Sequence, residues 1–170
     1  MILRQINYFF MYTIRDFQKG DLKAVEDIFA MYWTDPEFLE KLSHKLKMGI
    51  ENTQEYIDKK YRFYVAEENG EVVGIAGLRT APDHMKVYTK TENPAEFYVL
   101  AVKHKGKGIG KALKLKRIEE AKKLLFTEAV LYSPNSHKDS WGFHDKLDFE
   151  RVGEAIAPDG EPGMIWRRVL

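Results

Sequence analysis

The sequence predicts a single mixed α/β domain in which one largely antiparallel sheet is flanked by helices. Segments with the two-residue alternation of strands are interspersed with segments whose apolar residues recur at helical spacing. Asn69-Gly70 separates two strand patterns, and this dipeptide is typical of an antiparallel hairpin. A nearly continuous apolar run over 97–102 leads through a glycine-rich turn into a helix, which predicts a parallel crossover within the sheet.

The first half of the chain is predicted to hold one strand, three helices and the hairpin. Asp21 directly precedes a stretch whose apolar residues share one helical face, so it is the expected N-cap. Gly49 is the expected end of the second helix, because glycine commonly follows a helix C-terminus. The elements are a strand over 12–17, a helix from 21, a helix over 36–49, a short helix capped by Asn52 or Thr53 and ending near 60, and hairpin strands over 62–67 and 71–78.

The second half is predicted to contain the buried central strand, a long helix and three further strands. Residues 80–94 contain two prolines and are otherwise polar, so we expect a loop there. The elements that follow are a strand over 97–102, a helix from the glycine-rich turn to about 126, a strand over 129–132, a short helix over 138–147 and strands over 149–152 and 164–169.

Length and composition limit the classes of protein that the chain can represent. With 170 residues we expect one domain over 12–170 and an N-terminal extension over 1–11, with Met11 a candidate start. A net charge of +1 argues against a protein that mainly coats nucleic acid or membranes. The absence of cysteine excludes disulfides, Cys-based metal sites and thiol catalysis. The N-terminus also lacks a signal-peptide pattern, so we expect a cytoplasmic protein.

The glycine-rich turn over 106–110 predicts an anion site. Backbone N–H groups in the first turn of a helix lack partners within the helix, and glycines let a phosphate approach them closely. The triphosphate-binding loop is excluded, because three residues separate Gly106 from Gly110 where that loop needs four, and Ala112 stands where it needs a hydroxyl. The dinucleotide fingerprint fails too, because Lys111 occupies the place of its third glycine.

Local charge supports a polyanionic ligand at this turn. Residues 103–123 contain nine lysines and arginines against two glutamates. A cofactor that carries a phosphorylated adenosine diphosphate would explain both the charge and the glycines. The alternatives are a tight turn without a ligand, a solvated helix face and a nucleic-acid-binding patch.

The turn and the strand before it resemble the acyl-CoA loop of the GCN5-related N-acetyltransferase (GNAT) superfamily. Lys105 stands where that loop usually has Arg or Gln, and the glycines at 108 and 110 follow its pattern. The resemblance implies acetyl-CoA as the acyl donor and transfer to a primary amine by direct attack in a ternary complex. We expect no metal, because the sequence contains no His-Glu-x-x-His spacing and no cysteine. The cofactor-binding residues that it implies are Leu100, Ala101, Val102, Lys105, Gly106, Lys107, Gly108, Ile109, Gly110, Lys111 and Asn135.

A second motif, over 141–149, resembles the later superfamily motif in which a helix with an aromatic–Tyr pair ends in Lys-x-Gly-Phe. Asp148 replaces the glycine, and we expect it to accept a left-handed backbone. His144 replaces the tyrosine, and the resemblance implies that it protonates the departing thiolate. The alternative is a histidine that only packs against the cofactor arm.

The resemblance also implies a base and an acceptor pocket. Glu96 lies where many members of the superfamily have a glutamate, which in several of them acts as the base directly or through water. The alternative is an exposed glutamate at a strand edge. The acceptor region comprises 31–60 and 80–94, and its aromatic residues either bind a cationic amine or belong to the core. We expect a small-molecule amine as acceptor, no nucleic-acid or membrane partner, and consider a homodimer. A non-catalytic sensor of acyl-CoA is the alternative function. The aromatic residues are Tyr32, Trp33, Phe38, Tyr56, His84 and Tyr88.

Overall fold

The computed structural model describes residues 12–170, so the expected extension over 1–11 lies outside the described residues. The described chain forms a seven-stranded sheet with the order β1-β2-β3-β4-β5-β7-β6. Its strands are β1 (Tyr12–Asp16), β2 (Arg62–Glu68), β3 (Glu71–Thr80), β4 (Pro94–Val102), β5 (Glu128–Pro134), β6 (Glu150–Ile156) and β7 (Pro162–Val169). Its α-helices are α1 (Leu22–Ala30), α2 (Pro36–Glu51), α3 (Gln54–Asp58), α4 (Asp83–Lys86), α5 (Ile109–Lys123) and α6 (Trp141–His144), with 3-10 helices at Lys19–Asp21 and Asn135–Ser140.

The pairing confirms the predicted fold class, a largely antiparallel sheet with one parallel step. All neighbouring strands are antiparallel except β4 and β5, which the crossover through α5 joins. These two strands pair only where Pro94–Glu96 lies beside Glu128–Val130. Beyond that point β4 continues to Val102 and β5 to Pro134 without pairing with each other. The sheet is therefore open between the second halves of its two central strands.

Helices cover both faces of the sheet. Helix α5 packs on one face, where Leu113 and Trp166 are fully buried in the larger hydrophobic cluster. Helices α1 and α2 pack on the other face, where Phe29 and Leu46 lie against Ile75 of β3. Burial of these large apolar side chains is the main stabilising term, at about 1.5–3 kcal/mol each.

Short sequence motifs correctly predict the hairpin and the starts of two helices. Asn69 and Gly70 adopt left-handed backbone with φ of 51° and 77°, as the predicted two-residue hairpin requires. Asp35 caps α2 through the backbone N–H of Glu37, and Pro36 occupies the first helical turn. Thr53 caps α3, because its hydroxyl accepts a hydrogen bond from the backbone N–H of Tyr56.

The predicted end of α2 at Gly49 is wrong by two residues, because the helix continues to Glu51 and Asn52 supplies the left-handed C-cap. A Cβ at Gly49 would lie 2.9 Å from the ring of Tyr56. Gly49 is therefore needed for the close approach of α3 and not for ending the helix.

Three further expectations need correction. The carboxylate of Asp21 does not cap α1 but bonds the guanidinium of Arg15, 2.8 Å away, and the backbone N–H of Gln18. The segment predicted as a polar loop, 80–94, contains the short helix α4. The helix predicted over 138–147 is a 3-10 helix followed by the single turn of α6.

Candidate active site

The opening between β4 and β5 is lined by backbone groups that take no part in strand pairing. The N–H of Lys103 bonds the carbonyl of Val73 at 2.7 Å, and hydrogen-bonded positions alternate along an antiparallel pair. The backbone groups of Leu100 and Val102 therefore point away from β3, into the opening. The carbonyl of Val102 accepts a bond from the hydroxyl of Tyr32 at 2.6 Å, which agrees with this direction. The opening can accept an extended chain that hydrogen-bonds to β4.

The loop after β4 connects that strand to α5, so the opening ends beside the N-terminus of the helix. Gly106 and Gly108 have φ of 81° and 78°, a backbone that glycine adopts without strain. A Cβ at Gly106 would meet nothing within 4 Å, and one at Gly108 would meet only the hydroxyl of Tyr12 at 3.6 Å. The loop thus presents open backbone beside the free N–H groups and partial positive charge of a helix N-terminus. That arrangement fits a pyrophosphate.

The loop lysines are held by acidic neighbours. Lys105 lies 3.1 Å from Asp139 and over the ring of Tyr32, with 5.5 Å to its centroid. Lys107 lies 3.9 Å from Glu68. Within the described chain Lys111 has no carboxylate within 4 Å, so its ammonium is available in the first turn of α5.

The other residues expected to bind the cofactor differ in exposure and position. Ile109 is 1% exposed, so only its backbone N–H can reach a ligand. Ala101 is buried on the α1–α2 face, whereas Leu100 packs on the α5 face. Asn135 is exposed directly after β5, on the opposite side of the opening from β4.

Glu96 lies at the closed end of the opening, where the pairing of β4 with β5 stops. It is 8% exposed, so the alternative of an exposed strand-edge glutamate is wrong. Its carboxylate lies 2.5 Å from Nε of Arg79, which also donates to the hydroxyl of Tyr61 at 2.7 Å and lies over the ring of Tyr98. Burial raises the pKa of Glu96, and the charge of Arg79 opposes that shift. The result is a fixed carboxylate on the α1–α2 side of the sheet.

His144 lies on the opposite side, at the end of α6. Its ring packs against Trp166 with 5.0 Å between centroids, and its Nδ1 is buried without a partner. Burial lowers the pKa of His144 to about 3, and the nearby cations Lys114 and Arg117 add to the shift. The imidazole is therefore neutral at pH 7 and can donate one N–H hydrogen bond.

Lys114 fixes the end of the α6 turn, a role that sequence analysis missed. Its buried ammonium lies 3.2–3.4 Å from the carbonyls of Phe143, His144 and Lys146. Burial lowers the pKa of Lys114 to about 7. After the α6 turn, Asp148 has φ of 61°, which is the left-handed backbone expected for it. A charged residue within the apolar stripe of α5 was the signal that could have revealed Lys114.

The aromatic residues of the expected acceptor region are divided between core and rim. Tyr56 stacks on Tyr61 within the α1–α2 cluster. Trp33 packs against Phe38 and, across the opening, against His137 of the segment after β5, with centroid separations of 5.6 and 5.7 Å. Trp33 therefore closes the rim of the opening on the α1–α2 side.

Two features are absent from the described residues. Residues 12–170 hold no group of three or more His, Asp or Glu side chains suited to a metal ion. In the same range, no helix has the length and apolar character needed to cross a bilayer.

Known proteins show the same fold and related sequences. Human N-acetyltransferase 8B is 30% identical over 110 residues, which are 64% of this chain and 44% of that protein, so the chain spans less than half of that relative. The crystal structure of a protein of the GNAT family from Desulfovibrio desulfuricans covers 93% of this chain and 98% of its own, with a TM-score of 0.77 and 16% identity. PaiA N-acetyltransferase from Thermoplasma acidophilum, solved in complex with coenzyme A, covers 94% of this chain and 99% of its own, with a TM-score of 0.65 and 18% identity.

At such low identity the two structures establish the fold alone, and they confirm the predicted architecture. The sequence of residues 22–149 matches the family described as Acetyltransferase (GNAT) family, which confirms the resemblance and the enzyme class predicted with it. The chain therefore belongs to the acetyltransferase (GNAT) family of acyltransferases.

Proposed function

We propose that the chain transfers the acetyl group of acetyl-CoA to a primary amine of a small molecule. The observation that carries the proposal is the opening between β4 and β5, lined by free backbone groups and ending at a glycine loop on a helix N-terminus. An acyl-pantetheine arm can lie in such an opening while its diphosphate binds the loop. The coenzyme A complex of the related PaiA fold supports this choice of donor.

On the donor side, the backbone holds the acetyl-CoA. We assign the diphosphate to the backbone N–H groups and lysines of residues 105–111, with Asn135 contributing from the opposite wall. The N–H groups of Leu100 and Val102 face the opening, where they can bond the arm and polarise the thioester carbonyl. Such donors, fixed before the reaction, stabilise the negative charge that develops on the oxygen during attack.

On the acceptor side, Glu96 removes the proton that an ammonium must lose before it attacks. A buried carboxylate with a raised pKa is suited to this task, and Arg79 fixes its orientation. The amine nitrogen forms a bond to the carbonyl carbon and the carbon–sulfur bond breaks. The nitrogen then loses its second proton, which passes to the thiolate and gives the free thiol. We assign His144 to that sulfur, where its neutral imidazole donates an N–H hydrogen bond that stabilises the departing thiolate.

Glu96 and His144 face opposite sides of the sheet. The amine therefore approaches from the α1–α2 side, near Glu96 and Trp33, whereas the thiolate departs on the α5 side. The opening between β4 and β5 lies between these two sides.

The experiment has a binding step and a turnover step. Isothermal titration with acetyl-CoA comes first, and no binding at millimolar cofactor refutes the proposal. Thiol release is then measured with a panel of small primary amines and with peptides that carry a free N-terminus. Turnover with a small amine supports the proposal, turnover with peptides alone replaces the acceptor by a protein, and binding without turnover on any acceptor favours the acyl-CoA sensor.

A further inference from the structure

Arg117 is a buried cation for which the proposed chemistry supplies no role. It is 2% exposed, lies in the middle of α5, and has no carboxylate within 4 Å in the described part of the chain. A buried charge without an ionic partner is strongly destabilising. Burial lowers the pKa of Arg117 to about 9. Such a residue needs a compensating set of contacts.

Those contacts are two backbone carbonyls at an irregularity of the sheet. The register between β3 and β4 shifts between Ala76 and Leu78, so that Tyr98 and Val99 of β4 lie opposite Gly77 of β3. This is a β-bulge, which leaves ladder groups unpaired. Nη1 of Arg117 donates to the carbonyls of Gly77 and Val99, both at 3.2 Å.

The guanidinium also packs over an aromatic ring. Its central carbon lies 4.5 Å from the ring centroid of Phe97, and a Cβ at Gly77 would lie 2.7 Å from Phe63 on the other face. The bulge thus lies between two aromatic side chains, and Arg117 supplies hydrogen bonds to its carbonyls.

The bulge sets the direction of the next peptide unit. The described chain has no cis peptide bonds, so the carbonyl of Val99 and the N–H of Leu100 point in opposite directions. The carbonyl points at Arg117, and the N–H points into the opening between β4 and β5. A hydrogen bond to a carbonyl polarises its peptide unit and strengthens the N–H as a donor.

We propose that Arg117 is a positioning residue for acetyl transfer, which fixes the β4 bulge and aims the polarised N–H of Leu100 at the thioester carbonyl of the donor. The inference rests on the proposed function. Arg117 itself contacts neither substrate and acts through the peptide unit between Val99 and Leu100.

Arg117→Met tests the proposal through a spectroscopic signature. The carbonyl band of acetyl-CoA labelled with ¹³C at the thioester carbon is measured in difference infrared spectra. Bound to the wild-type chain, the band should move to lower wavenumber than in free acetyl-CoA. Arg117→Met should lose at least half of that shift and lower kcat roughly 10- to 100-fold, with KM for acetyl-CoA within about threefold. Arg117→Lys, which keeps the charge but not the planar fork, should recover part of the shift.

Arg15→Met is the matched control, because Arg15 is also a hydrogen-bonded arginine but lies at the edge strand β1 with Asp21 and Glu67. It should lower thermal stability and leave both the band shift and kcat unchanged.

If Arg117→Met does not fold, a measurement on the wild-type chain still tests whether the N–H of Leu100 contacts the thioester carbonyl. The amide proton of Leu100 should move downfield on adding acetyl-CoA and much less on adding CoA, which lacks the acyl carbonyl. An unmoved Leu100 amide, or a folded Arg117→Met with the full band shift and kcat, overturns the role of Arg117. A wild-type chain that does not bind acetyl-CoA instead overturns the proposed function itself.

Discussion

Gly108→Val is the sharpest perturbation of the candidate cofactor site. Gly108 is the N-cap of α5 with φ of 78°, and its added Cβ would meet only the Tyr12 hydroxyl, at 3.6 Å. The substitution therefore meets no core atom. Its structural cost is the left-handed backbone, about 1–2 kcal/mol for an L-residue. For a domain of this size that cost lowers Tm by roughly 2–8 °C.

The effect on binding should be far larger. Valine would cover the backbone beside the helix N-terminus and pull the loop away from its left-handed turn. If two N–H bonds to the diphosphate are lost, each at about 1.5–3 kcal/mol for a charged acceptor, binding weakens by about 3–6 kcal/mol in total. That loss corresponds to a Kd for acetyl-CoA roughly 10²- to 10⁴-fold higher.

Titration calorimetry with acetyl-CoA and a thermal melt are measured on the same preparations. Gly160→Val is the matched control, because Gly160 has φ of 89° in the turn between β6 and β7 and no atom within 4 Å of its added Cβ. It should show a similar loss of Tm with unchanged binding. A folded Gly108→Val with the Kd of the wild type would refute the assignment of the diphosphate to this loop.

Three further outcomes are expected. Glu96→Gln should lower kcat roughly 10²- to 10⁴-fold, the usual contribution of a general base, with little change in acetyl-CoA binding, and the acidic limb of the pH–rate profile should disappear. The pKa of His144 falls from 6.5 to about 3 on folding, so the unfolded chain binds one proton more between these values. This contribution to stability is complete above about pH 6.5 and is lost as the pH falls, by up to about 1.4 kcal/mol per pH unit. Urea unfolding of His144→Phe should therefore depend less on pH between 4 and 6 than that of the wild type, and its turnover should fall if the N–H contacts the sulfur; unchanged turnover would remove His144 from the mechanism. Asp148→Gly should raise Tm by a few degrees, because glycine adopts the left-handed backbone of position 148 without the cost of about 1 kcal/mol that an L-residue has there. A lower Tm would contradict the left-handed conformation of this residue.

Features encoded within a few adjacent residues were predictable from the sequence. The hairpin at Asn69-Gly70 and the glycine loop both depend on backbone preferences of the residues themselves. The left-handed backbone of Asp148 followed from the same kind of argument. Family membership was visible for the same reason, since the loop motif is contiguous in the chain.

Features that depend on strand register could not be predicted. Glu96 meets Arg79 because these residues are directly opposite in the β3–β4 ladder, and that register becomes known only with the bulge two residues away. The role of Gly49 likewise depends on where the ring of Tyr56 comes to lie. Sequence patterns report how hydrophobic a position is, but they do not identify its partner across the sheet.

The charges within α5 show how local and nonlocal information combine. Gly110, Lys114 and Arg117 follow one another at spacings of four and three, so they lie on one face of the helix. That face touches Phe143 beside Gly110, the carbonyls of the α6 turn through Lys114, and the bulge of β4 through Arg117. One rigid helix therefore connects the expected diphosphate site, the turn that carries His144 and the strand that carries Leu100. A displacement of α5 along its axis would disturb all three together, and this gives two costly buried cations a role on a face that hydrophobic burial alone would fill with leucine.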